Sequence, residues 1–184
     1  MKSNTTSPIT LILGGARSGK SSYAQSLAEA SGKSVTFLAT AQALDEEMAN
    51  RIQKHRSERP AGWETLEIPS DFASHVAQIK SDVVVLDCIT LLVSNLLMQF
   101  VKDDFVDEGP FLLAVQKELE GLIVAIHEQD QNWFVISNEV GLGLVPPYPM
   151  GRVYRDALGW ANQRLAREAD KVIFMVAGIP TTIK

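Results

Sequence analysis

The eight residues Gly14-Gly15-Ala16-Arg17-Ser18-Gly19-Lys20-Ser21 fit the pattern G-x-x-x-x-G-K-[ST] in full, and the apolar run Ile9-Thr10-Leu11-Ile12-Leu13 leads straight into them. A strand that ends in a glycine-rich turn and continues as a helix aims a row of backbone N–H groups, and the positive end of the helix, at one point where phosphate oxygens can sit. Gly14 and Gly19 permit the tight backbone path, Lys20 has the reach for β- and γ-phosphates, and the Ser21 hydroxyl is a ligand for Mg²⁺. The segment predicts binding of a nucleoside triphosphate. A plain strand-to-helix turn is the competing reading, and the strand and helix signals that flank the motif weigh against it.

Outward from this motif the chain alternates. Short β-branched runs recur at Ser34–Thr40, Asp82–Asp87, Trp133–Ser137 and Lys171–Ala177, and stretches with helical spacing separate them. Helices are expected over residues 20–31, 44–58, 71–80, 90–100, 110–129 and 151–168. Strands that are apolar nearly throughout are buried on both faces, which implies an α/β domain with a mostly parallel central sheet flanked by helices. In such a sheet ligands bind beyond the carboxyl ends of the strands. The phosphate loop, Ala39-Thr40-Ala41, Asp87 and Ser137-Asn138-Glu139 all follow predicted strands, so one crevice can collect them. The acidic stretch Lys102–Pro110 reads as a solvated loop.

The 184 residues are expected to form one domain over residues 8–184, after a polar, flexible leader over residues 1–7 that lacks the apolar core of a secretion signal. The composition is 46% hydrophobic and 21% charged, and no apolar run is long enough to span a bilayer. Cys88, the sole cysteine, cannot form an internal disulfide, which together with the leader points to the cytoplasm. A net charge of −5 and a pI near 5.2 argue against a nucleic-acid partner or a general anionic-membrane surface.

Two further features carry candidate chemistry. Asp87 ends the run Val83-Val84-Val85-Leu86, where a carboxylate stands near a Mg²⁺ held beside a phosphate loop; capping of the next element is the structural alternative. The segment Asp45–Pro60 begins with acids and ends with bases, as a helix complementing its macrodipole does. Its Met48, Ile52 and His55 fall at i, i+4 and i+7, so His55 lies on or beside the inward face. Arg51, Lys54, Arg56 and Arg59 place four positive charges within nine residues of an otherwise acidic chain. A polyphosphate would be attracted there, although the same pattern also suits a charged surface helix whose histidine covers the core edge. His75 and His127 sit in ordinary amphipathic stretches and are assigned no chemistry.

These segments taken together resemble a family, the bifunctional adenosylcobinamide kinase/adenosylcobinamide-phosphate guanylyltransferases of cobalamin biosynthesis. The resemblance rests on Gly14–Ser21, Ala39-Thr40-Ala41 and Asp45–Met48 with Arg51-Ile52, His55-Arg56 and Arg59-Pro60. Leu86–Leu91 with Ser94–Leu97, Ser137–Pro146, Gly151-Arg152 with Tyr154–Asp156, and Asn162–Ala166 extend it across residues 9–184. Pro147-Tyr148-Pro149 stands where a more polar turn is expected, and Asp103–Pro110 has no counterpart in the family pattern.

The resemblance implies a RecA-like P-loop NTPase fold and two reactions. ATP or GTP phosphorylates adenosylcobinamide; GTP then guanylylates His55, which passes GMP to adenosylcobinamide phosphate. Lys20 would be catalytic with His55. The loop residues Gly14, Gly15, Ala16, Arg17, Ser18, Gly19, Lys20 and Ser21 would bind nucleotide, as would Ala39, Thr40, Ala41, Arg56, Ser57, Glu58, Arg59, Glu67 and Asp87, with Ser21 and Asp87 on Mg²⁺. It further implies a homo-trimer. A simple P-loop kinase for a small metabolite is the alternative, with the basic helix serving only to clamp phosphate. A regulatory GTPase or nucleic-acid motor is disfavoured by the absence of an Asn-Lys-x-Asp motif and by the acidity of the chain.

Overall fold

The computed structural model describes residues 7–43, 45–57, 59–103 and 105–184; the side chain of Arg51 lies outside that description. The phosphate-loop strand β1 (Ile9–Gly14) is followed by α1 (Lys20–Ala30), β2 (Val35–Ala39), α2 (Glu46–Ser57), β3 (Glu64–Glu67) and α3 (Phe72–Val76). Next come β4 (Val83–Asp87), α4 (Ile89–Met98), the short strands β5 (Val101–Lys102) and β6 (Phe105–Val106), and α5 (Glu108–His127). The chain closes with β7 (Asn132–Ile136), α6 (Pro149–Glu168), β8 (Lys171–Val176) and β9 (Ile179–Thr182).

Seven strands form one sheet in the order β3-β2-β4-β7-β1-β8-β9. All neighbours pair in parallel except β8 and β9, which are antiparallel. The expected mostly parallel sheet is therefore present, and the pleat explains its two-sided burial. Leu11, Leu13, Val84 and Leu86 point into a core shared with α3, α4, α5 and α6. Ile12, Val83 and Val85, one residue out of phase, point into a second core against α1. Ala24 and Ala28, four residues apart on α1, are fully buried and let that helix lie close to the strands.

Several expectations need correction. The acidic stretch is not simply a solvated loop: β5 and β6 pair as a small antiparallel hairpin, and Val106 is buried against the larger core. The helix expected over residues 71–80 is the short α3. Residues 44 and 58, the ends of the expected second helix, lie outside the described residues. Ser7, assigned to the leader, is 2% exposed and donates its hydroxyl hydrogen bond to the Gln129 carbonyl, so the chain is tied down from that point. Residues 1–6 lie outside the described residues. No described helix is long and apolar enough to cross a membrane.

Candidate active site

Strand register places the candidate residues. Ala39 pairs with Glu67 on one side and Asp87 on the other, Asp87 pairs with Ile136, and Ile136 pairs with Ile12 two residues before Gly14. Glu67, Ala39, Asp87, Ser137 and the start of the phosphate loop therefore lie along one edge, the carboxyl end of the parallel strands, as the reading of the sequence requires.

In the phosphate loop, Arg17 and Gly19 have φ values of 56° and 93°. Left-handed residues alternating with ordinary ones turn successive N–H groups toward a common point, which is an anion-binding concavity. Gly14 has φ 153°, and a Cβ there would stand 2.6 Å from both the Met175 carbonyl oxygen and Ser18 Oγ. The β8–β9 turn buttresses the loop from beneath, with Gly178 N–H donating to the Ser18 carbonyl at 3.0 Å. Lys20 is 7% exposed and folds back so that Nζ donates to the Gly15 carbonyl at 2.6 Å. Burial pushes its ammonium below the ordinary lysine value, and the Asp87 carboxylate opposes that shift. A cation in such a place is held by carbonyl and hydroxyl oxygens that a phosphate can replace.

The ends of β2 and β4 are knitted together. Thr40 N–H donates to the Asp87 carbonyl at 3.1 Å, and its buried hydroxyl donates to the Cys88 carbonyl at 2.8 Å while accepting from Cys88 N–H at 2.7 Å. Thr40 thus serves the backbone with both its amide and its side chain. The Cys88 thiol, pushed up to about 12 chiefly by burial, stays protonated and unreactive at neutral pH.

From α2 onward the cationic side chains return to this edge. Met48, Ile52 and His55 form a half-buried stripe on α2, whose other described side chains are exposed, as their spacing predicts. Arg56 reaches Glu67 at 3.9 Å in an exposed pair. The Arg59 guanidinium lies 3.6 Å over the ring of Phe37 with its Nε buried and without a hydrogen-bond partner, and the Asp87 carboxylate acts on it. An arginine stacked and half desolvated beside a carboxylate is pre-set to receive an anion. Ala41 follows the end of β2 and is half-buried, while the exposed Ser57 ends α2 and donates its hydroxyl to the Lys54 carbonyl at 2.8 Å; Glu58 lies outside the described residues.

Residues 10–183 match the CobU family, described as cobinamide kinase / cobinamide phosphate guanyltransferase. The chain belongs to the CobU family. The bifunctional adenosylcobalamin biosynthesis protein CobP of Pseudomonas aeruginosa is 42% identical to it over 179 residues, covering 95% of this chain and 96% of the relative. The corresponding CobU protein of Escherichia coli K12 is 40% identical over 179 residues, covering 95% and 98%. A crystal structure of the RadB recombinase, 14% identical, aligns with 92% of this chain and 75% of its own at a TM-score of 0.49.

The family-like segments after Asp87 form a partly buried polar brace that their motifs do not announce. Asn95 donates to the carbonyls of Thr40 and Pro69 at 2.8 and 3.0 Å. Thr90 Oγ1 accepts from Asn138 N–H at 2.7 Å, Tyr154 donates to the Thr90 carbonyl at 3.1 Å, and Asn162 donates to the Asn138 carbonyl at 2.9 Å. Asn162 stands among Ala157, Leu158, Ala161 and Leu165 on the inner face of α6. A polar residue in an apolar helical stripe was the available signal; its carbonyl partner was not.

The crowding at Gly14 carries a prediction. Gly14→Ala forces a left-handed φ on a residue with a Cβ and drives that atom into the Met175 backbone, so the loop must shift. A thermal melt should fall by several degrees, and stabilisation by added ATP·Mg²⁺ should disappear; a variant that ATP stabilises like the wild type would refute the tight-loop account.

Proposed function

We propose that this chain phosphorylates adenosylcobinamide with ATP or GTP and then transfers GMP from GTP to adenosylcobinamide phosphate, giving adenosylcobinamide-GDP. The observation that carries this reading is the gathering, in a chain of the CobU family, of a phosphate loop with Arg56 near the end of α2 and Arg59 just beyond it along one sheet edge.

In the first reaction the acceptor hydroxyl oxygen attacks the γ-phosphorus, the β–γ bridging P–O bond breaks with its electron pair leaving on the nucleoside diphosphate, and the hydroxyl proton passes to water. Lys20 and the loop N–H groups stabilise the spreading charge and fix the phosphates in line. In the second, a ring nitrogen of His55 attacks the α-phosphorus of GTP, pyrophosphate leaves, and a P–N bond forms. A phosphate oxygen of the acceptor then attacks that phosphorus and the bonding pair returns to the imidazole. Two easier displacements replace one hard one. Arg56 and Arg59 offer planar forks to the nucleotide phosphates, Glu67 and the Ala39–Ala41 turn border the base and ribose, and Arg59 waits on Phe37.

Among the described residues no group of three His, Cys, Asp or Glu side chains converges on a metal position. The Ser21 hydroxyl and Asp87 carboxylate are hard oxygen donors at the phosphate end, the kind that hold Mg²⁺ jointly with substrate phosphates and water. When bound there, Mg²⁺ neutralises phosphate charge. Asp87→Asn keeps size and removes charge, so turnover should drop by about two orders of magnitude with little change in melting temperature, and raised Mg²⁺ should recover part of it. Loss of thermal stability at unchanged specific activity would instead mark Asp87 as a cap.

The deciding experiment is incubation with α-labelled GTP and Mg²⁺. Protein-bound label that is acid-labile and alkali-stable is expected of a phosphoramidate; γ-phosphoryl transfer to adenosylcobinamide without such label would reduce the chain to a simple kinase.

A further inference from the structure

The segment joining β7 to α6 presents an apolar surface that the core does not use. Among the described residues, five of the twelve exposed large apolar side chains fall within nine residues: Leu142, Leu144, Val145 and Tyr148 in this segment and Met150 in the first turn of α6. Leu144 is 97% exposed and Leu142 80%. Scattered apolar residues on a surface need no explanation, but a concentration of this kind marks a binding surface.

The segment begins inside the candidate active site, turns at Gly141-Leu142, and is fastened at both ends. Glu139 N–H donates to the Gly14 carbonyl at 3.0 Å, which fastens the start of the segment to the phosphate loop. The Glu139 carboxylate then accepts from Gly141 N–H. At the far end Arg152 Nη1 donates to the carbonyls of Pro146 and Pro147 at 3.0 and 2.9 Å. Pro146, Pro147 and Pro149 fix their own φ, and Gly151 leaves room for the Pro146 ring, whose Cβ would meet a side chain there at 2.9 Å. Little freedom remains to be lost when a ligand settles on such a segment.

From Leu142 to Met150 there is no charged side chain, so this surface is not made for a phosphate. Of the two reactants, the nucleotide delivers its phosphates to the loop on β1, and the acceptor must approach from beside it. We propose that Leu142–Tyr148 is the acceptor's seat, taking the apolar face and methyl-bearing edge of the corrin macrocycle, with Tyr148 available to stack on its conjugated system. This rests on the reading of function given above and adds to it the residues that hold the acceptor.

The test uses the full chain carrying L144S together with Y148S, both exposed, and measures phosphorylation of adenosylcobinamide with acceptor and ATP varied in turn. Losing two apolar contacts that the bound acceptor would cover should raise the acceptor KM by about tenfold or more. The ATP KM and kcat should stay within about twofold of wild type. An acceptor KM that does not move overturns the inference, whether or not light scattering shows a changed particle mass; a changed mass with unmoved KM makes the segment a contact between copies of the chain. Parallel loss of ATP and acceptor binding also overturns it, since the segment would then only shape the phosphate loop. If the wild-type chain itself does not phosphorylate adenosylcobinamide, the reading of function fails and this inference with it, which an active wild type with an unmoved KM distinguishes.

Discussion

Lys20→Ala should abolish phosphoryl transfer, and guanylylation should fall with it. The Lys20 ammonium is buried, is held at 2.6 Å by the Gly15 carbonyl, and lies 3.5 Å from Ser18 Oγ at the head of α1. It is thus a fixed charge at the place where the loop N–H groups converge. Removing one pre-placed donor of this kind costs about 10²- to 10³-fold in turnover. Because triphosphate binding precedes both reactions, neither escapes. Folding should survive the change, because burial disfavours the charged form of this side chain, so its charge is a cost to the fold. Parallel assays of ATP-dependent phosphorylation and of label from α-labelled GTP make the check. Near-normal rates of both would remove the phosphate loop from the mechanism.

How much of this was readable beforehand follows from where each signal resides. The phosphate loop is local: glycine positions, the lysine and the flanking apolar run are all within a dozen residues, and the structure keeps them in that arrangement. Strands β1, β2, β4, β7 and β8 were legible because burial on both faces demands unbroken apolar runs. By contrast, β3 reads Glu-Thr-Leu-Glu and β9 reads Ile-Pro-Thr-Thr, all four residues of the latter exposed. Edge strands need neither apolar runs nor every N–H, so Pro180 is tolerated and no pattern announces them. The β5–β6 hairpin hid within an acidic run for the same reason.

The active site divides along the same line. Asp87 and Thr40 could be placed because each follows a legible strand. Their coupling through the Thr40 hydroxyl and the Cys88 peptide could not, since it depends on which backbone atoms strand pairing brings together. The buttress of Gly178 against Ser18 comes from residues 160 positions apart in sequence terms, and the Asn162 contact with the Asn138 carbonyl likewise has no local signature. For α2 the sequence supplied both the half-buried stripe and the basic end, while the stacking of Arg59 on Phe37 required the fold.

The two reactions should come apart at His55. A histidine that attacks phosphorus uses a lone pair on a ring nitrogen, whereas γ-phosphoryl transfer needs positioning and charge stabilisation from the phosphate loop. His55→Asn keeps a polar, half-buried side chain on α2 next to Arg56 and removes the imidazole. Covalent GMP and GTP-dependent pyrophosphate release should therefore fall to background, while phosphorylation of adenosylcobinamide stays within a few-fold of wild type. The other histidines supply the controls. His75 is engaged with the Asp71 carbonyl at 2.9 Å, and His127 with the Glu168 carboxylate at 3.2 Å at the far ends of α5 and α6. His75→Asn and His127→Asn should leave the label intact, the second at a small cost in stability from the broken pair. Retention of label by the His55 variant would dismiss the nucleophile and leave α2 as a phosphate clamp; loss of kinase activity in step with the label would show instead that both reactions need this helix in place.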